Sequence, residues 1–373
     1  MVCETMKTIL ALTLSAAFVA GGAEFPKDPK FDEIVAKHRR QEKLTFEEED
    51  YYQSTVEFRN QTQSVERNKD WAAANPARES TGLTSLAELG KGTYKGEQGG
   101  LYPNGENKLP ADHLKAGLAL AKKIVPLDTE GQPSADGKIV LLTIGMSNTH
   151  QESRSFLRIF NARKGEINPK VVAVDGAEGA KTAKITAQPN NDYWKIPAYR
   201  LRDAGVTPQQ VQVVWLKQAN AMPTAEFPIE VKKLEADVLA TIHNLHDKYP
   251  NLKMLYLSTR IYAGYAAAPL NPEPHSYESG FAYKWLIGDQ IAGKPELNYD
   301  PAKGTVRAPW IAWGPDLWSD GMAGRKSDSL IWKREDLAPD GTHPSPKGRE
   351  KVAQMLFDFL EKSPTTAMWF GKR

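Results

Sequence analysis

The segment KIVLLTIGMS (residues 138–147) marks the point where a charged, weakly periodic chain changes to short apolar runs. Its run from Ile139 to Ile144 has the length and the Val, Leu and Ile content of a buried strand. Similar runs follow at Val171 to Val174, Val211 to Leu216 and Leu252 to Leu257. Because amphipathic segments separate these runs, the pattern predicts an α/β domain over residues 138–373, with a mainly parallel sheet covered on both faces.

Helical periodicity is clearest between the third and fourth apolar runs. Apolar residues recur there at steps of three and four, which places them on one face of a helix. The face consists of Val231, Leu234, Val238, Ile242 and Leu245. Comparable patterns predict helices at residues 111–123, 280–291 and 345–361.

The chain before these strands divides into two parts. Residues 1–23 have the pattern of a signal peptide, because Lys7 precedes an apolar run from Ile9 to Ala20 that ends in small residues. This run is shorter than the roughly 20 apolar residues that a membrane-spanning helix needs. We therefore expect cleavage near Ala23, no membrane span, and a secreted or periplasmic protein. Residues 24–137 are predicted to be a helical and loop extension that packs on the α/β core.

Composition and charge limit the classes of function. The 373 residues are 40% hydrophobic and 25% charged, which is an ordinary globular balance. A formal net charge of +2 does not favour nucleic acid or an anionic membrane as the partner. The single cysteine, Cys3, lies within the predicted signal peptide. We therefore expect the mature chain to use no disulfide, thiolate nucleophile or cysteine-ligated metal.

Polar residues and glycines follow the predicted strands. Ser147 comes after the first strand, Gly179 lies in the turn after the second, and Asn220 follows the third. The segment DGTHP, which contains Asp340 and His343, comes just before the last predicted helix. Ligands of parallel sheets bind at the carboxyl ends of the strands, so we expect these residues to converge. Together they are the parts of an acyl-transfer site: a nucleophile, a base, an orienting acid and oxyanion donors.

The order of these blocks resembles the SGNH hydrolases, a superfamily of GDSL-like esterases and lipases. The four blocks of that family carry a Ser, a Gly, an Asn and an Asp-x-x-His, and the resemblance covers about residues 138–360. It implies a flavodoxin-like three-layer α/β/α sandwich. By position it also implies that Ser147 is the nucleophile, His343 the general base and Asp340 the acid that orients it. Gly179 and Asn220 would be the two oxyanion-hole donors.

Three positions depart from the family pattern. Met146 stands where the first block usually has Asp, while Gln218 and Ala221 stand where the third block has Gly and Asp. None of these changes removes the hydroxyl of Ser147 or the side chain of Asn220. The two hypotheses that follow are an active enzyme and a protein that keeps the fold without turnover.

Each block also has a purely structural interpretation. Ser147 would cap the helix that follows it, and Gly176 competes with Gly179 for the role of oxyanion donor. The DGTHP segment would be a turn before a helix capped by Ser345. A turn does not require His343, so the four blocks in order favour the catalytic interpretation.

Further residues are candidates for binding substrate. His150 and Glu152 would either line the pocket or belong to the first turns of a helix. Arg260 follows the fourth strand and would bind an acidic group or form a salt bridge. Trp310 and Trp313 would either stack on a sugar ring or fill the core beside a fifth strand.

From these residues we expect a secreted serine esterase that removes acyl groups, in particular acetyl, from a carbohydrate. One alternative is a non-catalytic glycan-binding protein on the same fold. Another is a metal-dependent phosphoesterase that would use Asp175, Glu178 and histidines. His243 and His246 have helical spacing, but Asp247 and Lys248 follow near the helix end and no nearby acid motif completes a metal site. We expect no cofactor or metal and a small-molecule or glycan ester as the substrate, and the oligomeric state stays open.

Overall fold

The computed structural model describes residues 25–372. The predicted signal peptide and its cleavage near Ala23 lie outside the described residues. The strands are β1 Thr93–Tyr94, β2 Glu97–Gln98, β3 Ile139–Gly145, β4 Val171–Asp175, β5 Val211–Lys217, β6 Met254–Leu257 and β7 Trp310–Trp313.

The helices that periodicity predicts at residues 111–123, 280–291 and 345–361 are present, although the second begins at His275, five residues before its predicted start. The α-helices are α1 Pro29–Arg39, α2 Phe46–Arg67, α3 Lys69–Ala74, α4 Leu86–Leu89, α5 Ala111–Ala121, α6 Ser147–Ala162, α7 Ala183–Thr186, α8 Lys195–Asp203, α9 Ile229–Lys248, α10 His275–Ile291, α11 Pro346–Lys362 and α12 Ala367–Phe370. Short 3-10 turns lie at Pro103–Gly105, Asp192–Trp194, Pro208–Gln210, Pro295–Leu297, Pro301–Lys303 and Arg334–Asp336.

The large sheet has five strands in the order β4-β3-β5-β6-β7, and every neighbouring pair is parallel. Counted along the chain, this is the order 2-1-3-4-5 of flavodoxin-like folds. All seven residues of β3 are buried, because helices cover both faces of the sheet. The predicted three-layer α/β/α architecture is confirmed, and the fifth strand that the sequence offered as an alternative is β7.

The topology places a crevice at the end of β3. The chain reaches the two neighbours of β3, strands β4 and β5, by crossovers in opposite directions, and such a switch point opens a crevice at the carboxyl ends of the strands. Helix α6 begins with Ser147, one residue after Met146 and two after the last residue of β3. The sheet therefore presents Ser147 at this crevice.

Helix α11 follows the DGTHP segment and packs against α6. The side-chain oxygen of Ser345 accepts a hydrogen bond from the backbone N–H of Gly348 at 3.3 Å, so Ser345 is the helix cap that the sequence predicts. Because α6 carries Ser147 and α11 begins just after His343, the contact between these two helices sets the distance between the two side chains.

Two helices of the N-terminal extension make contacts with the core that bear on the site. Helix α5 lies so close to the sheet that a Cβ at Gly117 would be 2.5 Å from the indole ring of Trp310. Helix α2 is held to α6 and α11 by ion pairs, in which Glu57 contacts Arg154 at 2.7 Å and Arg349 at 3.5 Å. Helix α2 of the extension therefore contacts both α6 and α11, the two helices that flank the crevice.

Candidate active site

Ser147, His343 and Asp340 form a continuous chain of hydrogen bonds. The Oγ atom of Ser147 lies 2.8 Å from Nε2 of His343, and Nδ1 of His343 lies 2.6 Å from Oδ2 of Asp340. With Nδ1 donating to the carboxylate, Nε2 is free to accept the hydroxyl proton of Ser147. The hydroxyl of Ser147 therefore bonds to an imidazole and does not cap α6, which has no side-chain cap.

The local loop orients Asp340. Its Oδ1 accepts the backbone N–H groups of Thr342 at 3.1 Å and His343 at 3.0 Å, which leaves Oδ2 for the imidazole. Gly341 has φ +64°, and a Cβ there would lie 1.8 Å from the carbonyl oxygen of Tyr265, so the turn requires glycine. Burial opposes ionisation of Asp340, but the charge and hydrogen bond of His343 outweigh it and lower the pKa of this carboxyl.

Two side chains hold the loop that carries His343. The carbonyl oxygen of Thr342 accepts a hydrogen bond from Nδ2 of Asn148 at 3.1 Å and from Arg260 at 3.3 Å. Arg260 is only 1% exposed, so the expectation that it binds a substrate anion is wrong. Its guanidinium instead donates a hydrogen bond to the loop that carries His343.

The turn after β4 is tied to the end of β3. Gly176 donates its N–H to the carbonyl of Thr143 at 2.8 Å, and Glu178 donates its N–H to Gly145 at 3.0 Å. Gly176 is therefore not free to act as an oxyanion donor. The N–H of Gly179 has no acceptor within residues 25–372, and neither does that of Ser147 at the start of α6.

Asn220 is held at both ends of its amide. Its Oδ1 accepts the backbone N–H of Lys184 at 3.0 Å, and its Nδ2 donates to Asp237 at 2.7 Å. The structure does not bring Asn220 into hydrogen bonding with Ser147 or His343. One amide hydrogen stays uncommitted among the described residues, and the oxyanion role of Asn220 stays a prediction.

A second imidazole and carboxylate pair lies beside Ser147. Nδ1 of His150 is 2.5 Å from Oδ2 of Asp175, which ends β4. The other oxygen of Asp175 accepts from the hydroxyl of Thr143 at 3.1 Å and from the N–H of Ala177 at 3.0 Å. Burial opposes ionisation of Asp175, but the charge and hydrogen bond of His150, with the charge of Arg200, lower the pKa of Asp175.

A buried ion pair lies deeper along α6. Nζ of Lys217 contacts the two carboxylate oxygens of Glu152 at 2.5 and 2.6 Å, and both side chains are fully buried. Burial raises the pKa of Glu152 and lowers the pKa of Lys217. The expectation that Glu152 lines the pocket is therefore wrong, because its buried carboxylate forms an ion pair with Lys217.

The tryptophans that the sequence offered for sugar stacking belong to the core. Trp310 is 0% exposed and its ring stacks on His113 at 4.9 Å. Trp313 is 4% exposed and donates its indole N–H to the carbonyl of Leu101 at 2.5 Å. Since both lie on β7, which is covered by helices, neither ring offers a face to a substrate, and the prediction of a stacking role is wrong.

The sequence predicts neither of two features of the site. The first is the hydrogen bond from Asn148 to the loop that carries His343, and the second is the pairing of His150 with Asp175. A signal for the second exists: with strand order 2-1-3-4-5, the acid that ends the second strand lies next to the helix that follows the first. His150, in the first turn of that helix, is then the nearest side chain to Asp175.

Two kinds of feature are absent from residues 25–372. In this part of the chain there is no group of three or more His, Cys, Asp or Glu side chains arranged to hold a metal ion. None of its helices combines the length and the apolar character needed to cross a membrane.

Comparison with known proteins identifies no family. No protein-family model and no curated protein matches this sequence. The X-ray structure of the YxiM protein from Bacillus subtilis is 11% identical and aligns with 62% of this chain, with a TM-score of 0.31; the chain spans 58% of that protein. The periplasmic domain of a lipopolysaccharide acetyltransferase from Salmonella ser. Paratyphi A is 13% identical, with 67% of this chain and 94% of that one aligned and a TM-score of 0.33. Both TM-scores are too low to carry an argument.

Proposed function

We propose that this protein is an exported serine esterase of the SGNH type, which hydrolyses acyl esters through an acyl-enzyme. The observation that carries the proposal is the hydrogen-bonded chain from Ser147 through His343 to Asp340. Export rests on the signal-peptide pattern of residues 1–23.

In the first step Oγ of Ser147 attacks the carbonyl carbon of the ester, and Nε2 of His343 takes the hydroxyl proton. Asp340 holds the tautomer of the imidazole and stabilises its positive charge. The unengaged N–H groups of Ser147 and Gly179 donate to the oxyanion, each contributing about 3 kcal/mol by analogy with other acyl-transfer sites. His343 then protonates the departing alcohol oxygen and leaves the acyl group on Ser147.

Water completes the cycle. His343 accepts a proton from a water molecule, whose oxygen attacks the acyl carbon, and then returns a proton to Oγ of Ser147 as the carboxylic acid leaves. Every proton transfer in this sequence passes through Nε2 of His343, which lies 2.8 Å from Oγ of Ser147. The acyl group is proposed to be acetyl and the alcohol a carbohydrate.

The other hypotheses have less support. The metal-dependent phosphoesterase would need the carboxylates of Asp175 and Glu178, but these are paired with His150 at 2.5 Å and Arg200 at 2.6 Å. The non-catalytic glycan-binding protein does not require the bond between Ser147 and His343. This bond is the observation that favours turnover.

Hydrolysis of p-nitrophenyl acetate by the purified protein tests the proposal. Wild type is compared with Ser147→Ala, and circular dichroism establishes that both are folded. We expect the variant to lose at least about a thousandfold in kcat, as removal of a triad member does elsewhere. Ser155→Ala is a matched control, since it removes a buried hydroxyl of the same helix. Equal background rates for wild type and Ser147→Ala would contradict the proposal.

A further inference from the structure

Two side chains in the first turn of α6, those of Ser147 and His150, are partly exposed. From Met146 to Phe156 every residue is buried except Ser147 and His150. Residues three apart on a helix are neighbours, with Cβ atoms about 5 to 6 Å apart. The imidazole of His150 therefore faces the same opening as the hydroxyl of Ser147, although the proposed mechanism does not use it.

Asp175 sets the orientation of this imidazole. Because Nδ1 of His150 is bound to Asp175, the neutral ring presents Nε2 as a hydrogen-bond acceptor. Within residues 25–372 this Nε2 has no hydrogen-bond partner. It is not one of the buried polar atoms that lack a partner, so it is exposed to solvent. The carboxylate of Asp175 is itself fixed by Thr143 and Ala177, which prevents the ring from turning.

Glu178, whose backbone is bonded to the last residue of β3, supplies a second acceptor. Glu178 uses one carboxylate oxygen to bind Arg200 at 2.6 Å, and the other oxygen has no partner among the described residues. The backbone of Glu178 is bonded to Gly145, two residues before Ser147, so its position relative to the nucleophile is fixed. Arg200 is held by Glu178 and by the carbonyls of Asp175 and Ala177.

This wall of the crevice therefore offers acceptors. Nε2 of His150 and the free oxygen of Glu178 match donors on a ligand, whereas the neighbouring cation, Arg200, is already bonded to protein acceptors. An apolar group would leave both acceptors without a partner, and desolvating them would cost free energy. Hydroxyl groups satisfy them, and a sugar carries several hydroxyls close to an ester.

We propose that His150 and Glu178 form a recognition subsite for free hydroxyl groups, so that the substrate is an ester of a polyhydroxylated alcohol such as a sugar. The inference rests on the proposed esterase function and specifies the alcohol part of its substrate. His150 binds substrate in this scheme, and Asp175 is a positioning residue that acts through it.

The experiment compares two acetate esters of the same shape. One is a methyl glucoside acetylated at its primary hydroxyl, and the other is cyclohexylmethyl acetate, which has a ring but no hydroxyls. We expect wild type to prefer the sugar ester by at least about tenfold in kcat/KM, because a site built to bind hydroxyls discriminates against analogues that lack them. In His150→Phe this preference falls about tenfold, which corresponds to one lost hydrogen bond.

Two further variants keep the test decisive. Glu178→Met removes the other acceptor at a partly exposed position and is expected to lower the preference as well. His246→Phe, on the outer side of α9, is the matched control and is expected to keep the preference of wild type. An equal loss on both esters in His150→Phe and Glu178→Met overturns the inference, and so does an absence of preference in wild type.

A binding measurement separates this inference from the proposed function. The acetylated glucoside is titrated by calorimetry into Ser147→Ala and into Ser147→Ala with His150→Phe. We expect binding to weaken about tenfold in the double variant. Should wild type hydrolyse no ester, the proposed function fails while this comparison still decides whether the subsite exists, and equal binding by the two variants rejects it.

Discussion

The crevice contains two imidazole and carboxylate pairs that are built alike. In each pair one carboxylate oxygen holds Nδ1 of the histidine, at 2.6 Å for Asp340 with His343 and at 2.5 Å for Asp175 with His150. In each the second oxygen accepts backbone or hydroxyl donors that fix the acid. Both histidines are similarly exposed, at 12% and 13%.

The two pairs differ in what the free Nε2 meets. His343 comes from the loop before α11 and points at Ser147, whereas His150 belongs to the same helix as Ser147 and has no protein partner for Nε2. A helical neighbour at i, i+3 lies beside the nucleophile but does not accept its hydroxyl proton here. A general base must lie within hydrogen-bond reach of the proton that it takes, and of the two histidines only His343 meets this condition for the hydroxyl of Ser147.

The largest expected contrast is between the two histidines. We expect His343→Ala to lower kcat for p-nitrophenyl acetate by at least about a thousandfold, because the proton of Ser147 then has no acceptor. His150→Ala is expected to lower kcat less than about tenfold. Steady-state kinetics of the two folded variants measure the contrast, and losses of similar size would break the distinction between base and recognition residue.

The carboxylates extend the same contrast. Asp340→Asn is expected to cost about a thousandfold to ten-thousandfold in kcat, because the amide favours the wrong tautomer of His343. Asp175→Asn is expected to change the preference between sugar and hydroxyl-free esters, with less than about a tenfold effect on kcat for p-nitrophenyl acetate. A large loss of kcat in Asp175→Asn would show that the two pairs act together in the chemistry.

A smaller loss of kcat is expected when the loop that carries His343 loses one of its hydrogen bonds. Asn148→Ala removes the bond to the carbonyl of Thr342, and we expect kcat to fall about tenfold to a hundredfold with KM nearly unchanged, because small displacements of a catalytic group are costly. Asn168→Ala is the matched control, since Asn168 makes the same kind of bond to the carbonyl of Trp369 at 3.0 Å, away from the crevice. A loss that appears in KM instead would contradict the positioning role.

Acid stability is expected to show the smallest effect. The pKa values of Asp175 and Asp340 are lowered by folding, so each carboxylate contributes stability above its unfolded pKa of about 3.9, and this is lost as the pH falls through the folded pKa. We expect the stability deficit of Asp175→Asn and Asp340→Asn relative to wild type to be present at about pH 5 and to shrink below about pH 4. Thermal unfolding across this range measures it, and a deficit that does not change with pH would show that the lowered pKa values are not the cause.

The sheet and its helices could be predicted from local patterns alone. Buried strands of a parallel sheet are apolar throughout, so the segments beginning at Ile139, Val171 and Val211 were evident and their ends agree with the structure to within one residue. The fourth run was predicted from Leu252, but the strand begins at Met254, because Leu252 belongs to a turn in which its N–H bonds to Tyr249. Short-range chemistry of this kind also pointed to Asp340 beside His343, three residues apart in one turn.

Long-range placement could not be read in the same way. The packing of α11 against α6 brings His343 to Ser147 across 196 residues, and the strand order brings Asp175 to His150. Burial then excludes residues whose chemical type suited a site: Trp310, Trp313 and Arg260 are suited to binding a ligand, but the sheet and the loop enclose them.

The amino-acid sequence by itself determines the apolar periods, the caps and the tight DGTHP turn, because these depend on neighbours within a few residues. Which side chains face the crevice and which are covered was decided by the packing of distant elements. The physical reason is that a side chain's chemistry depends on its solvation and its hydrogen-bond partners, and both are set by segments that lie far away along the chain. Ser147 and Glu152 lie five residues apart on one helix, yet Ser147 is partly exposed at the crevice and Glu152 is buried in an ion pair with Lys217.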